Sequence, residues 1–117
     1  MHSNDIEQEI RQQLCSIHDP EIGVDIVSLG LIYDVQASEA QVEGGTHTRV
    51  HIVMTLTTPG CPLATVIEDM IHRQLDGLLL ADGQTLDGYR DVTLEITFDP
   101  PWTQDMMSEE ARAELGL

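Results

Sequence analysis

Lysine is absent from this chain of 117 residues. The five basic residues are all arginine and stand against 21 acidic ones, giving a formal net charge of −16. Such a surface repels phosphate backbones, which argues against nucleic acid as a partner. Anionic membrane surfaces are disfavoured for the same reason. The acidity has two readings. One is a solubility adaptation, as in a salt-rich habitat where ions screen the self-repulsion. The other is an acidic face for a basic partner. The acids run along the whole chain, which favours the first.

Aromatic residues are nearly missing: only Tyr33, Tyr89, Phe98 and Trp102. The core must therefore be aliphatic. Cysteine occurs twice, at Cys15 and Cys61, too few for a disulfide framework. A reducing, cytoplasmic compartment with both as thiols is expected. No run approaches the roughly 18 apolar residues of a membrane span. The start, "MHSNDIEQEIRQQL", is polar and amphipathic, unlike a signal peptide. There is no Cys-x-x-Cys, no phosphate loop, no Gly-x-Ser-x-Gly, no His-Glu-x-x-His and no EF-hand spacing. Nothing in the residue pattern establishes an enzyme.

What is present is enough apolar sequence, 41%, to argue against disorder. The length favours one domain over 1–117, burying roughly two-thirds of its unfolded surface. Ile6, Ile10, Leu14 and Ile17 draw one stripe, predicting a helix over 4–18. Asn4 is its expected cap, with Glu7 completing a capping box. Cys15, one step off the stripe, is expected half-buried. Leu31, Tyr33 and Val35 alternate with Ile32, Asp34 and Gln36, a first strand. Gly44-Gly45 supplies a turn. In a second strand Val50, Ile52, Met54 and Leu56 face one way, and Arg49, His51, Val53, Thr55 and Thr57 the other. The two should form an antiparallel hairpin.

A second helix is expected from Pro62, a favoured first helical residue. Its stripe is Leu63, Val66, Ile67, Met70, Ile71 and Leu75. A loop with two Asp-Gly turn signals follows. Val92, Leu94, Ile96 and Phe98 then point inward from a third strand that "DPPW" stops. Ser108 caps a short helix over 109–115, with Gly116 as its stop. The order α-β-β-α-β-α predicts a compact two-layer α+β fold: a three-stranded mixed or antiparallel sheet with helices on one face.

The candidate chemistry begins with Cys61, in "TTPGCPLATVIEDMI". At a helix N-terminus it meets unsatisfied N–H groups and the positive end of the dipole. Both favour thiolate, the form that binds soft metals or attacks electrophiles. The bland alternative is a weak helix cap or a small buried residue. Thr57 and Thr58 can reach the same neighbourhood from a strand end, or serve only as strand and turn residues. Asp19, Glu21 and Asp25 fall in one irregular stretch. They form either a carboxylate cluster that binds a cation or polarises the thiol, or a solvated turn. His47 and His51 would stand about 13 Å apart on a strand, too far to share an ion. Cys15 and His18 on one helix side are half a site, and His72 has no obvious partner.

Three stretches together carry a family likeness: "DPEIGVDIVSLGLIYDV", "MTLTTPGCPLATVIEDMI" and "VTLEITFDPPWTQDMMSEEARAELG". They resemble the small iron–sulfur assembly domain shared by SufT, by the PaaD protein of phenylacetate catabolism and by a eukaryotic cytosolic iron–sulfur targeting factor. The resemblance implies a compact α+β fold. It also implies a non-enzymatic role in metal–sulfur cluster biosynthesis, in contact with the assembly machinery and client apoproteins. Carried over, Cys61 matches the motif cysteine and is the implied metal or cluster ligand, or a transfer thiolate. Asp19, Glu21 and Asp25 match the acidic stretch beside it, and Thr57 and Thr58 its threonines. Asp99 to Trp102 match the family's DPPW segment, read as structural. The cargo would be iron or an iron–sulfur cluster, held transiently. One motif cysteine per chain falls short of the four thiolates that usually hold a cluster. A cluster bridging a homodimer and a pure adaptor role resolve that shortage differently. The adaptor reading includes a PaaD-type role in an aromatic-ring oxygenase pathway. A thiol-dependent enzyme using Cys61 is the third reading, and it lacks a histidine fixed beside the sulfur.

Overall fold

The computed structural model describes residues 3–20, 22–42, 44–57, 64–80 and 83–117. Three strands form a mixed sheet in the order β1 (Ile32–Val42), β2 (Gly45–Met54), β3 (Val92–Ile96). β1 and β2 pair antiparallel from Ile32↔Met54 out to Val42↔Gly45. The expected hairpin is therefore present, and Gly44 and Gly45 take positive φ at its tip. β3 pairs parallel to β2, Val50↔Val92 through Met54↔Ile96. A parallel neighbour needs a crossover, and helix α2 (Ala64–Leu75) supplies it. Helix α1 (Ser3–Leu14) precedes the sheet and α3 (Glu109–Glu114) closes the chain. This is the expected α+β order.

The core is aliphatic. Ile6, Ile10 and Leu14 of α1 and Ile67, Ile71 and Leu75 of α2 are buried in one cluster with Val50, Ile52 and Met54 of β2. Along a strand every second side chain shares a face, so the β2 residues present one apolar row to the two helices. The opposite face stays half-open, with Arg49, Gln36, Thr93 and Glu95 exposed. Among the described residues no helix is long and apolar enough to cross a membrane.

Several local expectations are corrected. α1 begins at Ser3, so Asn4 lies inside the helix and is not its cap. The Glu7 carboxylate instead accepts from the Ala37 N–H at 2.9 Å, covering an open position on edge strand β1. The helix also stops at Leu14, well before Asp19-Pro20. Ser16 and Ile17 N–H groups reach back only three residues, to Gln13 and Leu14 at 3.1 and 3.0 Å. That tighter turn keeps Ile17 on the buried stripe while His18 leaves to bridge Asp25. Val66 of α2 is 45% exposed, outside the stripe, and β3 ends at Ile96 with Phe98 exposed. The expected helix start at Pro62, and Leu63, lie outside the described residues. Leu80 and Leu86, in the segment expected to be a plain loop, are buried core residues.

The first strand departs most from simple alternation. The register shifts between Ile32, opposite Met54, and Asp34, opposite Val53, leaving Tyr33 as an extra residue. A bulge of this kind bends the strand and re-aims one side chain. Ile32 and Val35 thereby both reach the core. Tyr33 is released to donate its hydroxyl to the Pro100 carbonyl, 2.7 Å away and 67 residues on.

The carboxyl-terminal segment straps this end of the sheet. Trp102 donates its Nε1–H to the Leu29 carbonyl at 2.7 Å, and the Ser108 N–H reaches the Ser28 carbonyl at 2.8 Å. Ser108 caps α3 as expected, its Oγ accepting from the Ala111 N–H at 3.1 Å. Past α3, Gly116 with φ +75° lets Leu117 N–H return to the Arg112 carbonyl at 2.8 Å, a Schellman closure. Gly30 is where the strap comes closest. Its φ is +81°, and an added Cβ would overlap the Met106 backbone carbonyl.

Gly30→Ala should therefore destabilise the fold by about 3 kcal/mol, combining left-handed strain with a backbone clash. Gly23→Ala, with φ +82° but open space around it, should cost only about 1 kcal/mol. Urea unfolding of the two variants checks the difference. Equal losses would mean that the strap does not press on Gly30.

Candidate functional site

The acidic stretch folds because its aspartates bond to their own backbone. Asp19 is 5% exposed. Its Oδ1 accepts from the Ile22 N–H at 3.2 Å, and its carbonyl accepts from the Gly23 N–H at 2.8 Å. Asp25, half-buried, does the same one turn later, its Oδ2 accepting from the Ser28 N–H at 2.9 Å. Short acidic side chains favour such self-closing turns. A plain solvated turn is thus wrong for Asp19, which is buried, and both carboxylates hold the loop's shape.

Main-chain bonds fasten this loop to the end of β2. Ile26 N–H bonds the Ile17 carbonyl at 2.9 Å, Leu31 N–H bonds the Ile26 carbonyl at 3.1 Å, and Thr55 N–H bonds the Leu31 carbonyl at 2.8 Å. On the other flank of β2, Thr97 N–H bonds the Met54 carbonyl at 2.9 Å. The residues next to Asp25 are therefore two backbone bonds from Thr55, and Thr57 lies two residues further along the same chain. Thr57 is half-buried. The structure thus brings the acidic loop and the Thr55–Thr57 strand end to one end of the sheet. Glu21, Thr58 and Cys61 lie outside the described residues. Cys61 falls between two fixed points, four residues past Thr57 and three before Ala64.

Thr55 is the residue that sequence reasoning missed. Alternation set it with Arg49, His51 and Val53 on the half-open face, yet it is fully buried. Its Oγ1 is the one buried side-chain nitrogen or oxygen among the described residues with no hydrogen-bond partner. Period-two patterning carries no signal for this, because it assigns faces and not what covers the end of a strand.

The histidines and the second cysteine resolve into structure. Cys15 lies past the end of α1 and His18 sits in the bridge to Asp25, so they do not share a helix side. Cys15 is exposed, not half-buried. Partial desolvation, and secondly the Asp25 carboxylate, hold its thiol above the ordinary range. His72 does have a partner: its Nδ1 bonds the Gly88 carbonyl at 2.5 Å, and its ring stacks on Tyr89 with centroids 5.5 Å apart. His47 bonds buried Asp91 at 2.9 Å, while His51 bonds Thr93 at 2.7 Å. Among the described residues no group of three His, Cys, Asp or Glu side chains is placed to hold a metal. With two cysteines in the whole chain, a resident four-thiolate cluster does not fit one chain.

Comparison with known proteins decides the family. Residues 7–86 match the profile of the iron–sulfur cluster assembly proteins. The chain belongs to that family. Over 112 residues it is 43% identical to the Fe-S protein maturation auxiliary factor YitW of Bacillus subtilis, covering 96% of this chain and 95% of that one. It is 37% identical to the Fe-S protein maturation auxiliary factor SufT of Staphylococcus aureus, over 85% of this chain and 96% of the relative. Among solved structures, a domain of unknown function from Bacillus anthracis superposes with a TM-score of 0.77 at 31% identity. That match covers 98% of this chain and 95% of the other. The family profile takes in the acidic loop, the strand end and Cys61. It stops short of the strap at 97–108.

The Cys15 thiol offers a direct check on this geometry. In a Cys61→Ser background, Asp25→Asn removes a negative charge that disfavours thiolate. Alkylation of Cys15 near pH 8 should then accelerate by about threefold, the size of a screened charge at short range. An unchanged rate would mean that the carboxylate does not act on this sulfur.

Proposed function

We propose that this chain is a maturation factor for iron–sulfur proteins, handling iron or a cluster as cargo through the Cys61 thiolate. The observation that carries the reading is the family match over 7–86, together with near full-length similarity to two Fe-S protein maturation auxiliary factors. The chemistry agrees with it. Iron–sulfur clusters are held by soft thiolate ligands, and the motif offers one. A single protein thiolate leaves most cluster positions to other ligands, so exchange toward a client with more cysteines runs downhill. A factor that must release its cargo gains from being a poor permanent host.

In this reading Asp19 and Asp25 act mainly as builders. Each has an oxygen engaged by a backbone N–H, which fixes the loop beside the strand end. Thr57, Thr58 and Glu21 are the further residues assigned in this reading to act with Cys61. The partners are the assembly machinery that loads the cargo and the apoproteins that take it. The strap holds the loop from outside through Trp102 and Ser108.

Anaerobic reconstitution with ferrous iron and sulfide tests the proposal. Wild type should develop sulfur-to-iron absorbance that Cys61→Ala lacks and Cys15→Ala keeps. Maturation of an iron–sulfur client should fall with Cys61→Ala and persist with Cys15→Ala. Undiminished maturation by Cys61→Ala, with a spectrum like that of wild type, would sink the thiolate role.

A further inference from the structure

We infer that the outer edge of β3 is a docking site for an extended basic segment of a partner protein, which joins the sheet as a fourth strand. The inference goes beyond the maturation-factor reading and needs no cargo. It starts from the register. Val50 N–H bonds the Asp91 carbonyl at 2.8 Å, and Thr97 N–H bonds the Met54 carbonyl at 2.9 Å. A parallel pair uses alternate residues of each strand in this way, so Thr93 and Glu95 also turn their backbone groups to β2. Val92, Leu94 and Ile96 turn theirs outward. β3 is the last strand of the sheet, and among the described residues nothing bonds these outward groups.

The other edge of the sheet is treated differently. On β1 the outward N–H groups of Val35 and Ala37 are each taken by a carboxylate, Asp34 at 3.0 Å and Glu7 at 2.9 Å. Charge turned onto an edge is one way native sheets refuse a further strand. β3 has no such guard. It offers N–H donors, carbonyl acceptors and the half-buried side chains of Leu94 and Ile96, with Phe98 37% exposed just beyond. Strand addition uses these parts, main-chain bonds for affinity and alternate side chains for choice. Charge decides the occupant. Glu95 and Asp99 are exposed along the strand and its exit. Arg90, at its entry, is the one basic residue between Gln74 and Ala111. Across neighbouring strands opposite charges attract and like charges repel. A second copy of this chain brings another −16 and is repelled. A strand with apolar residues on the core side and lysine or arginine on the other side fits.

A short capped peptide alternating valine and lysine is the probe, added to the cargo-free full chain at low salt. With saturating peptide, the Leu94 and Ile96 amides should exchange their hydrogens about tenfold more slowly, while those of Val35 and Ala37 stay unchanged. Glutamate in place of the peptide's lysines should weaken binding about tenfold. Glu95→Lys, a change at an exposed side chain, should weaken the lysine peptide about fivefold. Antiparallel addition is the more stable pairing, and it turns the valine amides toward β3. Methylating those nitrogens should therefore abolish the protection. Binding that leaves Leu94 and Ile96 unprotected, or that ignores lysine against glutamate, overturns the inference. So does an absence of binding at millimolar peptide. Self-association of the chain that protects the same two amides makes a second copy the occupant and also overturns it. No iron or sulfide is present, so each of these results leaves the Cys61 reading where it stands.

Discussion

The two backbone bonds of Leu31 hold the functional end of this fold together. Its N–H donates to the Ile26 carbonyl and its carbonyl accepts from the Thr55 N–H. Leu31 is fully buried, so neither group has water as an alternative partner. A main-chain bond adds only about 1 kcal/mol net, but leaving a buried group unmade costs up to about 3 kcal/mol. That asymmetry ties the acidic loop to the end of the central strand. Everything proposed for the site requires this junction, because Asp19 and Asp25 belong to one side of it and Thr55 and Thr57 to the other.

The junction is held from outside as well. Tyr33, freed by the bulge, and Trp102 form reciprocal fastenings between the first strand's entry and the DPPW segment. Gly30 lets Met106 come within contact of the backbone. The strap therefore bears on the loop that carries Asp25. It does so from a part of the chain beyond the family profile, which ends at residue 86. The similarity to YitW, over 96% of this chain, nevertheless extends well past that point.

Much of this was legible in the sequence. The stripe of α1, the inward row of β2, the glycine turn and the Ser108 cap all appeared where periodicity and turn chemistry set them. These features are local: each depends on residues within a few positions, which is the range that pattern reading samples. Failures cluster where distant segments meet. Tyr33 changed faces because a bulge serves a contact 67 residues away. Glu7 left its capping role for Ala37, and α1 stopped four residues early because His18 pairs with Asp25. Burial of Asp19 and Thr55 has the same origin. Alternation assigns a side to each residue, but the end of a sheet is covered by whatever chain returns to it.

The charge of the chain then takes on a narrower meaning. Asp19 and Asp25 looked like ligands or solvated acids, yet each holds a backbone N–H, so part of their capacity is committed to shape. Carboxylate is a hard ligand suited to magnesium or calcium, while thiolate suits iron–sulfur chemistry. In the proposed reading, acids as scaffold and one sulfur as the soft ligand would discriminate by ligand type without a closed cage. The surrounding negative charge works in the same direction. In that reading it would oppose accumulation of anionic thiolate-ligated clusters and so lower the free energy needed to give one up. Weak retention would, in the proposed reading, follow from composition as well as from ligand number.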